Sequence, residues 1–191
     1  MSNALALIQA RVNSSRLPRK SLAIIGCRAS VFHVWKRVQI AMRGWPIVVV
    51  PWDDAQEFGA VIPDGHVMRG AACDENDVLD RFTSVLDMMG HSVPNIIVRL
   101  TADCPFVDPA GILAVIQAVE GGADYACLAP IPNGLDAEAF TVVLLMRAYA
   151  EATDPYDREH VTPWMRRNAQ NVVTVPMFAH MPRYRWTLDT A

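Results

Sequence analysis

The run Ile47-Val48-Val49-Val50 carries four β-branched residues with no polar residue between them. A strand with one wet face alternates apolar and polar side chains, and this one does not. It must be buried on both faces, which is the position of a strand in a parallel sheet covered by helices on both sides. Leu5 to Ile8 and Ile96 to Leu100 have the same character, and Asp124–Leu128, Val172–Val175, Arg185–Leu188 and a short His66–Arg69 read as further strands. Between them the spacing turns helical. Val31, Val34, Trp35 and Val38 share one face after Ser30, which can cap it, and Val78, Leu79, Phe82, Leu86 and Met89 share another in a pattern that begins at Asp74. Ile112, Leu113, Ile116 and Val119 follow Asp108-Pro109, a cap with proline at the first turn, and Thr141 caps a helix through Val142, Leu145 and Ala148. Gly134 to Phe140 looks extended, a helical turn begins at Asp157, and Thr162-Pro163 suits the start of another. Strands alternating with helices predict the α/β class: a three-layer αβα sandwich with a mostly parallel sheet, as one domain over residues 1–191.

The charge is unevenly spread. Residues 1–52 hold eight of the 17 Lys and Arg and none of the 20 Asp and Glu. A basic third on an acidic body suggests an anionic ligand held locally, and it argues against a nucleic-acid protein, whose basic surface is normally broader. The cations concentrate directly after the first strand, in Gln9-Ala10-Arg11-Val12-Asn13-Ser14-Ser15-Arg16-Leu17-Pro18-Arg19-Lys20. Asn13, Ser14 and Ser15 are turn formers, Asn tolerates left-handed backbone, and Pro18 prevents a continuous helix. Backbone N–H groups of such a loop can form a nest for polyphosphate while Arg and Lys add charge. The same composition also suits a solvated basic turn.

In open α/β sheets ligands gather at the carboxyl ends of strands. The basic loop, Asp103 after Leu100 and Asp189 after Leu188 would all lie there. Two separated carboxylates near a polyphosphate loop are what a Mg²⁺ site needs, because that ion takes few protein oxygens and otherwise phosphate oxygens and water. The histidines form no metal-ligand spacing. The four cysteines are scattered with no Cys-x-x-Cys pair, as expected for reduced thiols in the cytoplasm. No apolar run approaches the ~20 residues that span a bilayer, and no signal-peptide pattern opens the chain.

Ile8-Gln9-Ala10-Arg11-x-x-Ser14-Ser15-Arg16-Leu17-Pro18-x-Lys20 resembles the N-terminal signature of the spore-coat polysaccharide biosynthesis protein F family of cytidylyltransferases, related to the CMP-KDO and acylneuraminate enzymes. Arg99-Leu100-Thr101-Ala102-Asp103-Cys104-Pro105, Gly134-Leu135-Asp136, Asp154 to Pro163 and Arg185 to Thr190 resemble further motifs of that family in the same order, so the likeness spans nearly the whole chain. It implies a Rossmann-like, nucleotide-diphospho-sugar transferase fold and transfer of CMP from CTP to a sugar or sugar acid in surface polysaccharide synthesis. It implies Mg²⁺ held by Asp103 and Asp189, and catalytic roles for Arg11, Lys20 and Asp103. Gln9, Ala10, Arg11, Asn13, Ser14, Ser15, Arg16 and Lys20 would bind the nucleotide. Asp77 to Arg81 resembles a motif near the nucleotide, so Arg81 and Thr101 would lie by the base. Asp136, Arg158, Glu159 and His160 would face the acceptor. Dimerisation is expected by analogy with the sugar-acid cytidylyltransferases.

The family usually has Gly at the positions of Asn13 and Arg19. Its members continue past the last motif into a C-terminal helix, of which this chain stops short with Ala191 where they have Pro. Two other readings remain open: a glycosyltransferase using a sugar nucleotide, for which Asp53-Asp54 is a faint Asp-x-Asp-like feature, and a non-catalytic domain that binds a nucleotide or a partner.

Overall fold

The computed structural model describes residues 4–14, 16–42, 46–70, 74–90, 94–177 and 184–188. The strands are β1 (Ala4–Gln9), β2 (Ile24–Ile25), β3 (Arg28–Ala29), β4 (Ile47–Val50), β5 (Val67–Arg69), β6 (Ile96–Thr101), β7 (Tyr125–Leu128), β8 (Glu138–Thr141) and β9 (Val172–Val175). The helices are α1 (Ser30–Met42), α2 (Ala55–Gly59), α3 (Val78–Met89), α4 (Pro109–Glu120), α5 (Val142–Glu151), α6 (Pro155–His160) and α7 (Thr162–Asn168). β2 and β3 form a small hairpin turned at Gly26. The other seven strands make one sheet in the order β5-β4-β1-β6-β8-β7-β9.

Every neighbouring pair in that sheet is parallel except the two pairs made by β8, which runs against both β6 and β7. Alternate side chains of the inner strands feed two cores. Ala6 and Ile8 of β1 with Val98 and Leu100 of β6 pack with α1 and α4 on one face, while Leu5, Leu7 and Ile97 pack with α3, α5 and α7 on the other. Val48 and Val50 enter the first core and Ile47 and Val49 the second, so burial on both faces requires the unbroken apolar run. The expected three layers are therefore present. Among the described residues no helix is long and apolar enough to cross a membrane.

Several local readings shift by a few residues. The helix expected from Asp74 begins at Val78, because Asp77 accepts the Asp80 N–H at 2.9 Å and caps it. Asp108 and Thr141 cap α4 and α5 as anticipated. Ser30 does not cap α1: its buried hydroxyl donates to the Ala102 carbonyl at 2.7 Å and ties α1 to the end of β6. The extended region before Phe140 is regular only from Glu138. Arg185–Leu188, expected as a strand, contributes a single bridge between Arg185 and Asn133.

Candidate active site

The carboxyl ends of β1 and β6 open into a cleft of about 460 Å³. The topology explains its position: the two strands lie side by side in the middle of the sheet, and both are followed by loops rather than by immediate helices. From the first loop Gln9, Ala10, Arg11, Arg16 and Lys20 line it, and from the end of β6 come Arg99, Thr101, Asp103 and Cys104. Arg81 of α3, Asp136, Glu138 of β8, Glu159 and His160 of α6, Thr162 and Arg166 of α7 and Thr187 also line it.

The central contact joins Lys20 Nζ to Asp103 Oδ2 at 2.5 Å, with both side chains largely shielded. Burial alone pushes the Asp103 carboxyl up. The Lys20 ammonium outweighs it, by hydrogen bond and charge, and holds the group below its ordinary range. Asp103 is thus an anion at neutral pH, with the loop's lysine against it. Its backbone is also held, because the Leu188 N–H donates to the Asp103 carbonyl at 2.9 Å. That segment lies hard against Gly134, where a Cβ would come within 2.5 Å of the Trp186 backbone and φ is +97°. Only glycine fits both constraints.

Arg11 spans the cleft mouth, donating to Asn76 at 2.9 Å and pairing with Glu159 at 3.3 Å. Arg81 is buried and donates to the Glu75 carbonyl, and burial followed by the nearby Arg11 charge lowers its pKa. Cys104 is a buried thiol, pushed up to about 12 by burial and then by the adjacent Asp103 charge.

Sequence reasoning missed the other half of the wall. Glu138 is buried and takes hydrogen bonds from four side chains. Arg99 donates to it at 2.6 Å, Tyr125 at 2.5 Å and Thr162 at 3.1 Å, and Arg166 donates as well. Arg99 also donates to Gln9 at 3.0 Å, which links this cluster to the start of the basic loop. Burial pushes Glu138 up, but Arg99 and Arg166 prevail and bring it to about 2. The missed signal was an acid, Glu138, opening a short strand ahead of Ala139 and Phe140. Its importance depends on β8 being antiparallel, which brings the start of that strand opposite Arg99 near the end of β6.

The structure brings Gln9, Ala10, Arg11, Arg16, Lys20, Arg81, Thr101, Asp103, Asp136, Glu159 and His160 to this one cleft. Asn13 and Ser14 lie instead beside a neighbouring hollow with Pro18, Glu75 and Asn76. Arg158 does not line the cleft: it pairs with Asp77 at 2.6 Å and donates to the Ala152 carbonyl at 3.1 Å, tying α6 to α3 and α5. Ser15 and Asp189 fall outside the described residues. The left-handed backbone considered for Asn13 occurs at Arg19, with φ 60°. Among the described residues no cluster of three or more His, Cys, Asp or Glu gathers to hold a metal. Asp103 by itself fits a hard cation that takes most of its oxygens from phosphates and water.

Residues 5–186 match the model of the cytidylyltransferase family. The spore coat polysaccharide biosynthesis protein SpsF of Bacillus subtilis is 31% identical over 207 residues, covering all of this chain and 82% of that protein. The 3-deoxy-manno-octulosonate cytidylyltransferase of Anaeromyxobacter dehalogenans is 33% identical over 155 residues, covering 80% of this chain and 62% of its own. A cytidylyltransferase structure from Leptospira borgpetersenii superposes with a TM-score of 0.85 at 26% identity, covering all of this chain and 82% of that one. With a basic loop and a lysine–aspartate pair where two parallel strands end, and a family match across nearly its whole length, this chain belongs to the cytidylyltransferase family.

Proposed function

We propose that this protein transfers CMP from CTP to a sugar or sugar acid and releases pyrophosphate. The observation that carries this reading is the convergence of Arg11 and Lys20 from one loop with Asp103 from the next strand in one cleft. The acceptor oxygen attacks the α-phosphorus, the bond to the bridging oxygen breaks, pyrophosphate leaves with the electron pair, and the acceptor's hydroxyl proton passes to water. Such a displacement needs positioning and charge neutralisation more than covalent help from the protein. Lys20 and Arg11 meet the β- and γ-phosphates and stabilise the charge that grows on the leaving group. To do so they exchange their partners Asp103 and Glu159 for phosphate oxygens. Mg²⁺ fits at Asp103, and when bound it would neutralise phosphate charge there. Arg81 and Thr101 border the nucleotide, while Asp136, Glu159 and His160 border the acceptor end with Arg99 and Arg166. The names of the relatives, one in spore-coat polysaccharide synthesis and one acting on 3-deoxy-manno-octulosonate, support a surface-glycan acceptor.

The test is nucleotide-induced thermal shift with CTP, UTP, ATP and GTP, with and without Mg²⁺, for wild type and Asp103→Asn. Pyrophosphate release with 3-deoxy-manno-octulosonate and related sugar acids is measured alongside. At a hundred times Kd a ligand adds about 2.7 kcal/mol of stability, so a CTP-selective, Mg²⁺-dependent rise of several degrees is expected, reduced in Asp103→Asn. No shift with any triphosphate would sink the reading.

A further inference from the structure

The basic loop is closed at a neck. The Arg19 N–H donates to the Val12 carbonyl at 3.0 Å, a pair whose outer neighbours in the chain are Arg11 and Lys20. The closed neck brings the backbone positions next to those two cations together. One short acidic stretch after β4 holds both neck residues. Asp54 Oδ2 accepts the Val12 N–H at 2.7 Å, and Glu57 takes the Arg19 guanidinium. Arg19 itself sits at φ 60° and ψ 20°, a left-handed conformation that a side-chain-bearing residue keeps only when its surroundings hold it there.

Crowding of like charge works against an acid at this position, since Glu57 and Glu75 both act on Asp54. Burial, opposed by the Val12 N–H, and then the charges of Glu75 and Glu57 push the Asp54 carboxyl up. A carboxylate next to a triphosphate site repels the ligand, and its N–H contact removes one donor from the anion's reach. The geometry supplies the compensating role.

We propose that Asp54 is a positioning residue: by gripping the Val12 N–H it keeps the loop neck closed, so that the backbone carrying Arg11 and Lys20 is already in place when the triphosphate binds and the two side chains have only to exchange partners. Asp54 touches no reacting atom, and it lies outside the residues that line the cleft. The inference rests on the nucleotide reading above, and the experiment separates the two.

Asp54→Ala removes the acceptor, whereas Asp54→Asn keeps an oxygen for the Val12 N–H and removes the charge. Hydrogen–deuterium exchange of the peptide covering residues 10–20 is followed without nucleotide, and the Kd for CTP with Mg²⁺ is measured by calorimetry. Loss of a charge-assisted bond to backbone predicts that Asp54→Ala raises loop exchange and weakens CTP by about tenfold or more. Asp54→Asn should hold the loop as wild type does and bind CTP at least as tightly, because a repulsive charge has gone. Equal CTP affinity in the two variants, or unchanged loop exchange in Asp54→Ala, overturns the proposal. If wild type binds no CTP, the nucleotide reading fails and takes the triphosphate role of Asp54 with it. The exchange arm still decides whether Asp54 holds the neck.

Discussion

Replacing Glu138 by Gln tests the charge cluster at the back of the cleft. Glutamine has one acceptor oxygen where glutamate has two, and its NH₂ must face a neighbour that also donates. Arg99 is 14% exposed and Arg166 is 54% exposed. The remaining oxygen should stay with the shielded Arg99, the NH₂ should turn to the Tyr125 oxygen, and Arg166 should swing to water. The magnitude follows from the carboxyl's depression to about 2 in the folded protein, where burial opposes and Arg99 and Arg166 prevail. A glutamate near 4.5 when unfolded and about 2 when folded contributes on the order of 3 kcal/mol at neutral pH. For a chain of this length that corresponds to a fall in Tm of about 6–12 °C. Because the folded value is depressed, this contribution is fully present above the unfolded value and disappears as pH falls through the folded one. The gap between wild type and Glu138→Gln should therefore shrink to less than about half its neutral value by pH 3. Urea unfolding of both proteins between pH 7 and pH 3 measures it. A gap below about 1 kcal/mol at pH 7, or one that does not change down to pH 3, would refute the reasoning.

Two further outcomes follow from the same region. Gly134→Ala would press a Cβ into the Trp186 backbone at a left-handed φ, so the variant should lose about 1–3 kcal/mol of stability, and cleft function should fall as the Leu188–Asp103 contact is displaced; chemical unfolding and CTP binding report the two effects, and a variant matching wild type in both contradicts the packing. Cys104, held near 12 by burial and then by the Asp103 charge, should resist iodoacetamide at pH 8 while the exposed Cys27 reacts. Mass spectrometry of the alkylated native protein distinguishes them, and equal labelling would contradict the burial.

Much of this architecture was legible because it depends on near neighbours in the chain. Ile47–Val50 declared a strand buried on both faces, Asp108-Pro109 and Thr141 declared helix starts, and the cations of residues 11–20 declared a basic loop after a strand. Asp103 was legible for the same reason: an acid directly after a buried strand lies where strands end, and parallel strands end together.

What the chain could not declare locally is who pairs with whom across long separations. Glu138 meets Arg99 and Arg166 only because β8 is inserted antiparallel between two strands that run the other way. Periodicity carries no sign of strand direction. Arg158 lies one residue from Glu159, yet the phase of a short helix sends one to Asp77 and the other to Arg11. Thr162, suited by type to cap α7, gives its hydroxyl to Glu138, and the cap falls to Val161 at φ 67°. Asp54 read as a faint acidic pair, and its grip on Val12 appears only once β4 lies beside β1. The sequence by itself determined the main strands and helices, their order and the basic character of the loop, because those follow from adjacent side chains and backbone propensity. Tertiary structure decided which charges neutralise one another and which side chains face the cleft, because those depend on strand order, strand direction and helix phase.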